Sequence, residues 1–128
     1  MLDSDAFINW EGRKFDLVSY LRSRASESVG VSAIVWQQLW FGAELFEAAR
    51  SAKRRRLLSS LYPAVKVIPF DVSQAREAAA LDARMKSAGT QIGYADTLIA
   101  AAALCCNAEL LTFNKSEFER AGVTLARF

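Results

Sequence analysis

Apolar positions along the chain fall into short runs rich in Val, Ile and Leu, separated by stretches in which they recur every third or fourth residue. Residues 1–8 are apolar apart from Asp3 and Asp5 and read as a buried strand ending near Asp5. Residues 14–25 place Phe15, Val18 and Leu21 at helical spacing, and residues 28–31 read as a second strand. Ser32 caps a helix over 33–49, because its hydroxyl can accept from a free amide of the first turn. A basic helix over 52–61 stops at Tyr62-Pro63, and the β-branched stretch 65–68 gives a third strand. Ser73 opens an alanine-rich helix that runs to Ala88 and ends at Gly89. Residues 94–106 read as a small-residue helix buried on nearly all sides. Residues 109–112, 116–121 and 123–127 read as a strand, a helical turn and a last strand. Strand and helix alternate throughout, which predicts a three-layer α/β/α sandwich around a mostly parallel sheet of four or five strands.

Composition narrows the functional classes. A chain of 128 residues, 52% apolar and 23% charged, is expected to form one domain over residues 1–128 with a core of its own. The longest apolar run, residues 98–106, is too short to cross a bilayer. Asp3 and Asp5 stand where a signal peptide needs cations. The neighbouring Cys105 and Cys106 offer neither a disulfide framework nor a CxxC pair, and read as small buried hydrophobes. A reduced, cytoplasmic protein is the expectation. There is no histidine, which removes Ser-His-Asp and Cys-His catalysis and His-ligated zinc. The net charge of +2 is too small to argue nucleic-acid binding without a local cluster.

In a parallel sheet of this kind the ligand crevice lies at the carboxyl ends of the strands. Asp3 and Asp5 close the first expected strand, Asp96 lies in the first turn of the helix beginning at Tyr94, and Asn114 follows the fourth strand. A helix N-terminus favours an ionised Asp96. Carboxylates gathered in one crevice repel one another unless a cation neutralises them, and Mg²⁺ or Mn²⁺ prefers such hard oxygen ligands.

Three segments in this order resemble the PIN domain family. Leu2-Asp3-Ser4-Asp5-Ala6-Phe7-Ile8 is similar to its opening motif, Tyr94-Ala95-Asp96-Thr97-Leu98-Ile99-Ala100-Ala101 to its D-x-x-I-A-A helix, and Leu110-Leu111-Thr112-Phe113-Asn114 with Phe118 to the segment after it. The subgroup that looks most alike is the VapC-type toxins, the ribonuclease halves of toxin–antitoxin pairs. The resemblance implies a PIN-like fold and a Mg²⁺- or Mn²⁺-dependent endoribonuclease that activates water on the metal to hydrolyse RNA. It also implies an antitoxin partner and a homodimer. Asp3 and Asp96 match the principal metal-binding acids, and Ser4 and Thr112 match hydroxyls that support them beside Asp5. Gln38 stands where the family carries a glutamate, and Asn114 at its fourth acidic position. Glu44 and Glu117 are acids nearby that could compensate. The alternative is a degenerate domain that binds RNA or a partner protein without cutting. A receiver-like phosphate-transfer domain lacks both its lysine and any Gly-rich phosphate loop here.

Arg50, Lys53, Arg54, Arg55 and Arg56 form the only concentrated positive patch, suited to RNA phosphates. Tyr94 is placed to stack on a base. Gln38 shares a helix face with Val35, Phe41 and Leu45, which points it inward. Trp36, Trp40 and Phe46 crowd a helix too apolar to bury them all, so Trp40 and its neighbours are expected to form a partner surface.

Overall fold

The structure, a computed structural model, describes residues 1–128. Its helices are α1 (Ser4–Glu11), α2 (Leu17–Ser23), α3 (Ala33–Leu45), α4 (Ala48–Leu61), α5 (Val72–Ala88), α6 (Tyr94–Cys105) and α7 (Lys115–Arg120). Two strands, β1 (Gly30–Ser32) and β2 (Lys66–Ile68), pair in parallel with Val31 opposite Val67. Single parallel bridges extend this pair: Leu2 joins Val31 on one side and Leu111 on the other, and Leu110 joins Leu125. The result is a parallel sheet of five short lanes in the order β2, β1, Leu2, Leu110–Leu111, Leu125. The central lane is held by the Leu2 amide donating to the Gly30 carbonyl at 2.9 Å and the Asp3 amide to the Leu111 carbonyl at 3.0 Å. Helices complete the three-layer α/β/α architecture expected from the chain.

The opening segment differs from its reading. Residues 1–8 are not one strand, because the extended chain ends at Asp3 and α1 begins at Ser4. Asp3 keeps an extended backbone as the N-cap of α1 and accepts from the Ser4 amide, which is the ordinary preference of Asp at that position. Asp5 therefore lies in the first turn of a helix, where its charge opposes the positive end of the dipole.

Caps fix the other boundaries. The Ser32 hydroxyl accepts from the Ile34 amide at 3.1 Å, as its sequence context predicts. Asp71, rather than Ser73, caps α5, because a carboxylate two residues earlier reaches the Gln74 amide at 3.0 Å. Gly89 ends α5 in the left-handed region at φ +70°, a conformation other residues adopt only with strain. The stretch 33–49 divides into α3 and α4, because Glu47 caps a new helix by accepting from Ala49 and Arg50.

One hydrophobic cluster runs through the sheet and the helices, centred on Phe7, Leu39, Leu58, Leu81, Ile99, Leu110, Leu111 and Phe118. On α6, Thr97, Ile99 and all four residues from Ala100 to Ala103 are buried, in keeping with its small-residue sequence. The buried stripe of α3 is Val35, Leu39 and Ala43, one turn apart from each other. Phe41 and Leu45 lie on the exposed side. Trp36 and Trp40 are half-buried and packed edge to face, so the solvent-facing apolar groups of this helix are Phe41 and Leu45 rather than the tryptophans. Cys105 and Cys106 are exposed at the end of α6, not buried as their apolar neighbours suggested.

Arg54 departs from the sequence reading, which placed it in the solvent-facing basic patch. Only 3% of it is exposed, and it lies on the buried stripe of α4 with Leu58 and Leu61. Its guanidinium donates through Nε to Glu11 Oε2 at 2.8 Å, through Nη2 to the same oxygen, and through Nη1 to the Leu39 carbonyl at 3.1 Å. It also sits over the Phe46 and Phe7 rings. Gly42 leaves room for it: a Cβ there would come within 2.9 Å of Nη1.

Candidate active site

The crevice-edge residues come from four places along the chain. Asp3 and Asp5 are delivered by the end of the central lane and the first turn of α1. Asp96 comes from the first turn of α6, and Thr112 and Asn114 from the turn before α7. The Thr112 hydroxyl lies 2.8 Å from Asp3 Oδ2 and 3.1 Å from Asp5 Oδ2. A hydroxyl carries one hydrogen, so it can serve only one of these oxygens at a time unless a carboxyl is itself protonated. Asp5 Oδ2 also accepts from the Phe113 amide at 2.8 Å and the Asn114 amide at 3.1 Å. Asp5 is thereby the clamp that shapes the 112–114 turn. The Asn114 side-chain amide in turn donates to Asp96 Oδ2 at 3.4 Å. A chain of hydrogen bonds thus links Asp3, Thr112, Asp5, Asn114 and Asp96.

Sequence reasoning placed Glu117 only among possible compensators. It stands in the first turn of α7, one turn after Asn114, and its carboxyl is one of the neighbours that push Asp96 up. The available signal was its spacing of three from Asn114 on a helix, which puts both on one face. Glu44, the other possibility, instead pairs with Arg55 on the surface. Gln38 is half-buried on α3, which packs against α1 and α6, and its Oε1 is buried with no hydrogen-bond partner. Asp5 Oδ1 is likewise buried and unpartnered. Ser4 is the first residue of α1, beside its cap.

The acids strain against one another. Burial and then the charge of Asp5 push the Asp3 carboxyl up to about 6. Burial, the hydrogen bond with Glu117 and the charge of Asp3 raise Asp96 to about 7. The charge of Asp3 is thus one of the causes that raise Asp96, to which it is linked through Thr112, Asp5 and Asn114. Both values lie above those of the unfolded chain, so folding favours the protonated acids, and that stabilisation fades as the pH rises from about 4 through about 7. For Asp3, which is 5% exposed, the loss between pH 4 and pH 8 is about 2 kcal/mol. Asp96 adds less, since much of it faces water. In thermal melts of the metal-free protein, Asp3→Asn is expected to gain on the wild type by this amount as pH rises from 4 to 8. A constant difference between the two proteins across that range would contradict the shared acidic site.

Every donor here is oxygen, which suits a hard divalent cation. No three His, Cys, Asp or Glu side chains form a closed cage. Mg²⁺ needs none, because it is commonly held by one or two carboxylates and keeps several of its waters. The hydrogen-bonded cluster of Asp3, Asp5, Asn114 and Asp96 and the unpartnered, buried Oδ1 of Asp5 fit such an ion.

The positive patch divides. Arg50 and Lys53, with Lys14 and Asn9, line a basic cleft of about 400 Å³ between α1 and α4. Arg56 is exposed, Arg55 pairs with Glu44, and Arg54 is committed to Glu11 inside the protein. Arg54 therefore does not belong to the solvent-facing patch, because its charge is neutralised and buried. Tyr94 is 78% exposed, two residues before Asp96.

A parallel five-lane sheet with acids gathered at its carboxyl edge is a PIN-type arrangement. A family model described as PIN domain matches residues 1–123, and the chain belongs to that family. Among known proteins, the VapC ribonuclease Y4jK of Sinorhizobium fredii is 33% identical over 113 residues, which span 85% of this chain and 81% of that protein. The crystal structure of FitAcB from Neisseria gonorrhoeae superimposes with a TM-score of 0.84 at 28% identity, over 98% of this chain and 95% of that one. VapBC2 from Rickettsia felis, bound to a DNA fragment from its promoter, shares the fold at a TM-score of 0.90 and 24% identity, over 100% of this chain and 97% of that one. No helix is long and apolar enough to cross a membrane.

Proposed function

We propose that this PIN domain, acting as a single unit over residues 1–128 in the cytoplasm, is a Mg²⁺- or Mn²⁺-dependent endoribonuclease, the toxin of a toxin–antitoxin pair. The observation that carries it is the hydrogen-bond chain that runs from Asp3 through Thr112, Asp5 and Asn114 to Asp96, residues far apart in sequence, in a chain similar to a VapC ribonuclease. Asp3 and Asp96 would hold the ion, with Glu117, Asn114 and the free carbonyl of Gln38 around it. When bound, such an ion lowers the pKa of a water and stabilises charge on the phosphodiester. Thr112, Ser4 and Asp5 keep the two ligands in place, Asp5 by holding the 112–114 turn. Arg50, Lys53 and Arg56 supply phosphate affinity, and Tyr94 offers a ring beside Asp96. An antitoxin would cover this edge, and two copies would pair as a homodimer.

The test is cleavage of a labelled RNA with Mg²⁺, with Mn²⁺ and with EDTA. Cutting that depends on the metal supports the enzyme. RNA retention without cutting supports the second reading, a binding domain without catalysis, which the neutral Gln38 favours. Gln38→Glu restores a third negative ligand and is expected to tighten Mg²⁺ binding roughly tenfold, read by calorimetry. Unchanged metal affinity would place residue 38 outside the site.

A further inference from the structure

Beside the acidic cluster lies a group of three phenylalanines that the chemistry above does not use. Phe15, from the α1–α2 connection, packs edge to face on Phe113 at 5.5 Å and on Phe128 at 5.3 Å between ring centroids. Phe113 and Phe128 lie 4.9 Å apart at 58°. Each ring thus braces the other two, and the cluster has a fixed shape. Yet Phe113 is 40% exposed and Phe128 50% exposed, which is unusual for phenylalanines so well packed on one side. The Lys115 ammonium stands 5.0 Å from the Phe128 ring centre.

The position of this cluster gives it meaning. The Phe113 amide donates to the same Asp5 oxygen that receives the Asn114 amide, and Asn114 reaches on to Asp96. The backbone of Phe113 is therefore pinned to Asp5, next to Asn114, by the bonds that organise the acids. We infer that Phe113 and Phe128, braced by Phe15 and flanked by Lys115, form a stacking platform for an unpaired base of the RNA strand whose phosphodiester lies at Asp3 and Asp96. The inference rests on the ribonuclease reading and adds to it the residues that would hold a base beside the acids. A π-face takes a base of any identity, and the Lys115 ammonium, which lies over the Phe128 ring, would give way to that base and pair with its phosphate. In a duplex the bases are stacked on one another and offer no face to the rings.

The experiment measures binding in EDTA, where no metal-dependent cleavage occurs, to a ten-residue oligouridylate and to a duplex RNA of the same length. Phe113→Ala and Phe128→Ala are expected to weaken single-strand binding about tenfold each and leave duplex binding unchanged. Phe113→Trp keeps a stacking face, so it should retain affinity, and its indole emission should be quenched by the oligonucleotide. Circular dichroism checks that each variant is folded. If an alanine variant unfolds, an oligonucleotide with one abasic position carries the test on the wild type: it should bind about tenfold more weakly than the intact strand, and equal affinity overturns the platform. Equal single-strand affinity for wild type and variants overturns the platform, as does equal loss for both RNA forms. Variants with full RNA affinity that lose a co-purified partner protein would make the rings a protein contact and also overturn it. The ribonuclease reading is judged separately, by wild-type cleavage in Mg²⁺. If the wild type cuts RNA while the alanine variants bind normally, only the platform falls. If the wild type neither binds RNA nor cuts it in Mg²⁺, both fall.

Discussion

Asp96→Asn is expected to lower metal-dependent RNA cleavage by at least about a hundredfold with little change in the fold. The side chains have the same shape, and α6 takes no side-chain cap from Asp96, so the helix loses little. What disappears is a negative charge that faces Asp3 and Glu117 in one site. A bound divalent ion contributes several kcal/mol of charge stabilisation in phosphoryl chemistry, and each ~1.4 kcal/mol is a factor of ten in rate. Initial rates on a labelled single-stranded RNA give the number. Thermal melts give an independent reading: Mg²⁺ should raise the melting temperature of the wild type and leave that of the variant nearly unmoved, since a ligand stabilises only what it binds. A variant that cleaves at the wild-type rate would remove Asp96 from the chemistry.

Arg54→Ala is expected to destabilise the protein by about 3–5 kcal/mol, far more than a surface arginine would. The reason is what remains. Glu11 would keep a carboxylate that is 11% exposed with no cation beside it, and the Leu39 carbonyl would lose its donor. The aromatic contacts over Phe46 and Phe7 would vanish as well. Removing both charges together, as Arg54→Met with Glu11→Gln, should recover most of the loss, because apolar replacement of a buried ion pair is often neutral. Urea denaturation of the three proteins measures this, provided their m-values agree. If Arg54→Ala proves as stable as the wild type, the guanidinium is not held as described.

The same residue shows where the sequence was legible and where it was not. Within Lys53-Arg54-Arg55-Arg56 the charges look equivalent, and a basic run reads as one solvated face. The signal that separates them is helical phase: Arg54 is four residues from Leu58 and seven from Leu61, both buried. Phase alone makes an arginine inward-facing only if a carboxylate waits for it, and that carboxylate, Glu11, lies 43 residues away. Gln38 is a parallel case. The pattern points it inward with Val35, Phe41 and Leu45, whereas it is half-buried and Phe41 and Leu45 turn outward while Val35, Leu39 and Ala43 turn in. A helix apolar on nearly every side has no dominant stripe to read, and only its neighbours choose the face.

The first segment makes a third case. Two aspartates in an apolar stretch allow a strand or a capped helix, and the decision falls to the sheet. Once Leu2 pairs with both Val31 and Leu111, the lane has no further partner to follow, and Asp3 turns the chain into α1.

The sequence by itself determined most helices, the caps at Ser32 and Gly89, the parallel alternation and the oxygen-only chemistry imposed by the absence of histidine. Each of these depends on residues within a turn or two of one another, or on composition. Only the tertiary structure decided which charges are buried, that Glu117 joins Asp96, that the cysteines are exposed and that Phe113 and Phe128 meet beside the acids. Those outcomes depend on distant segments competing for a limited interior, where desolvation and packing are set by partners that local pattern does not specify.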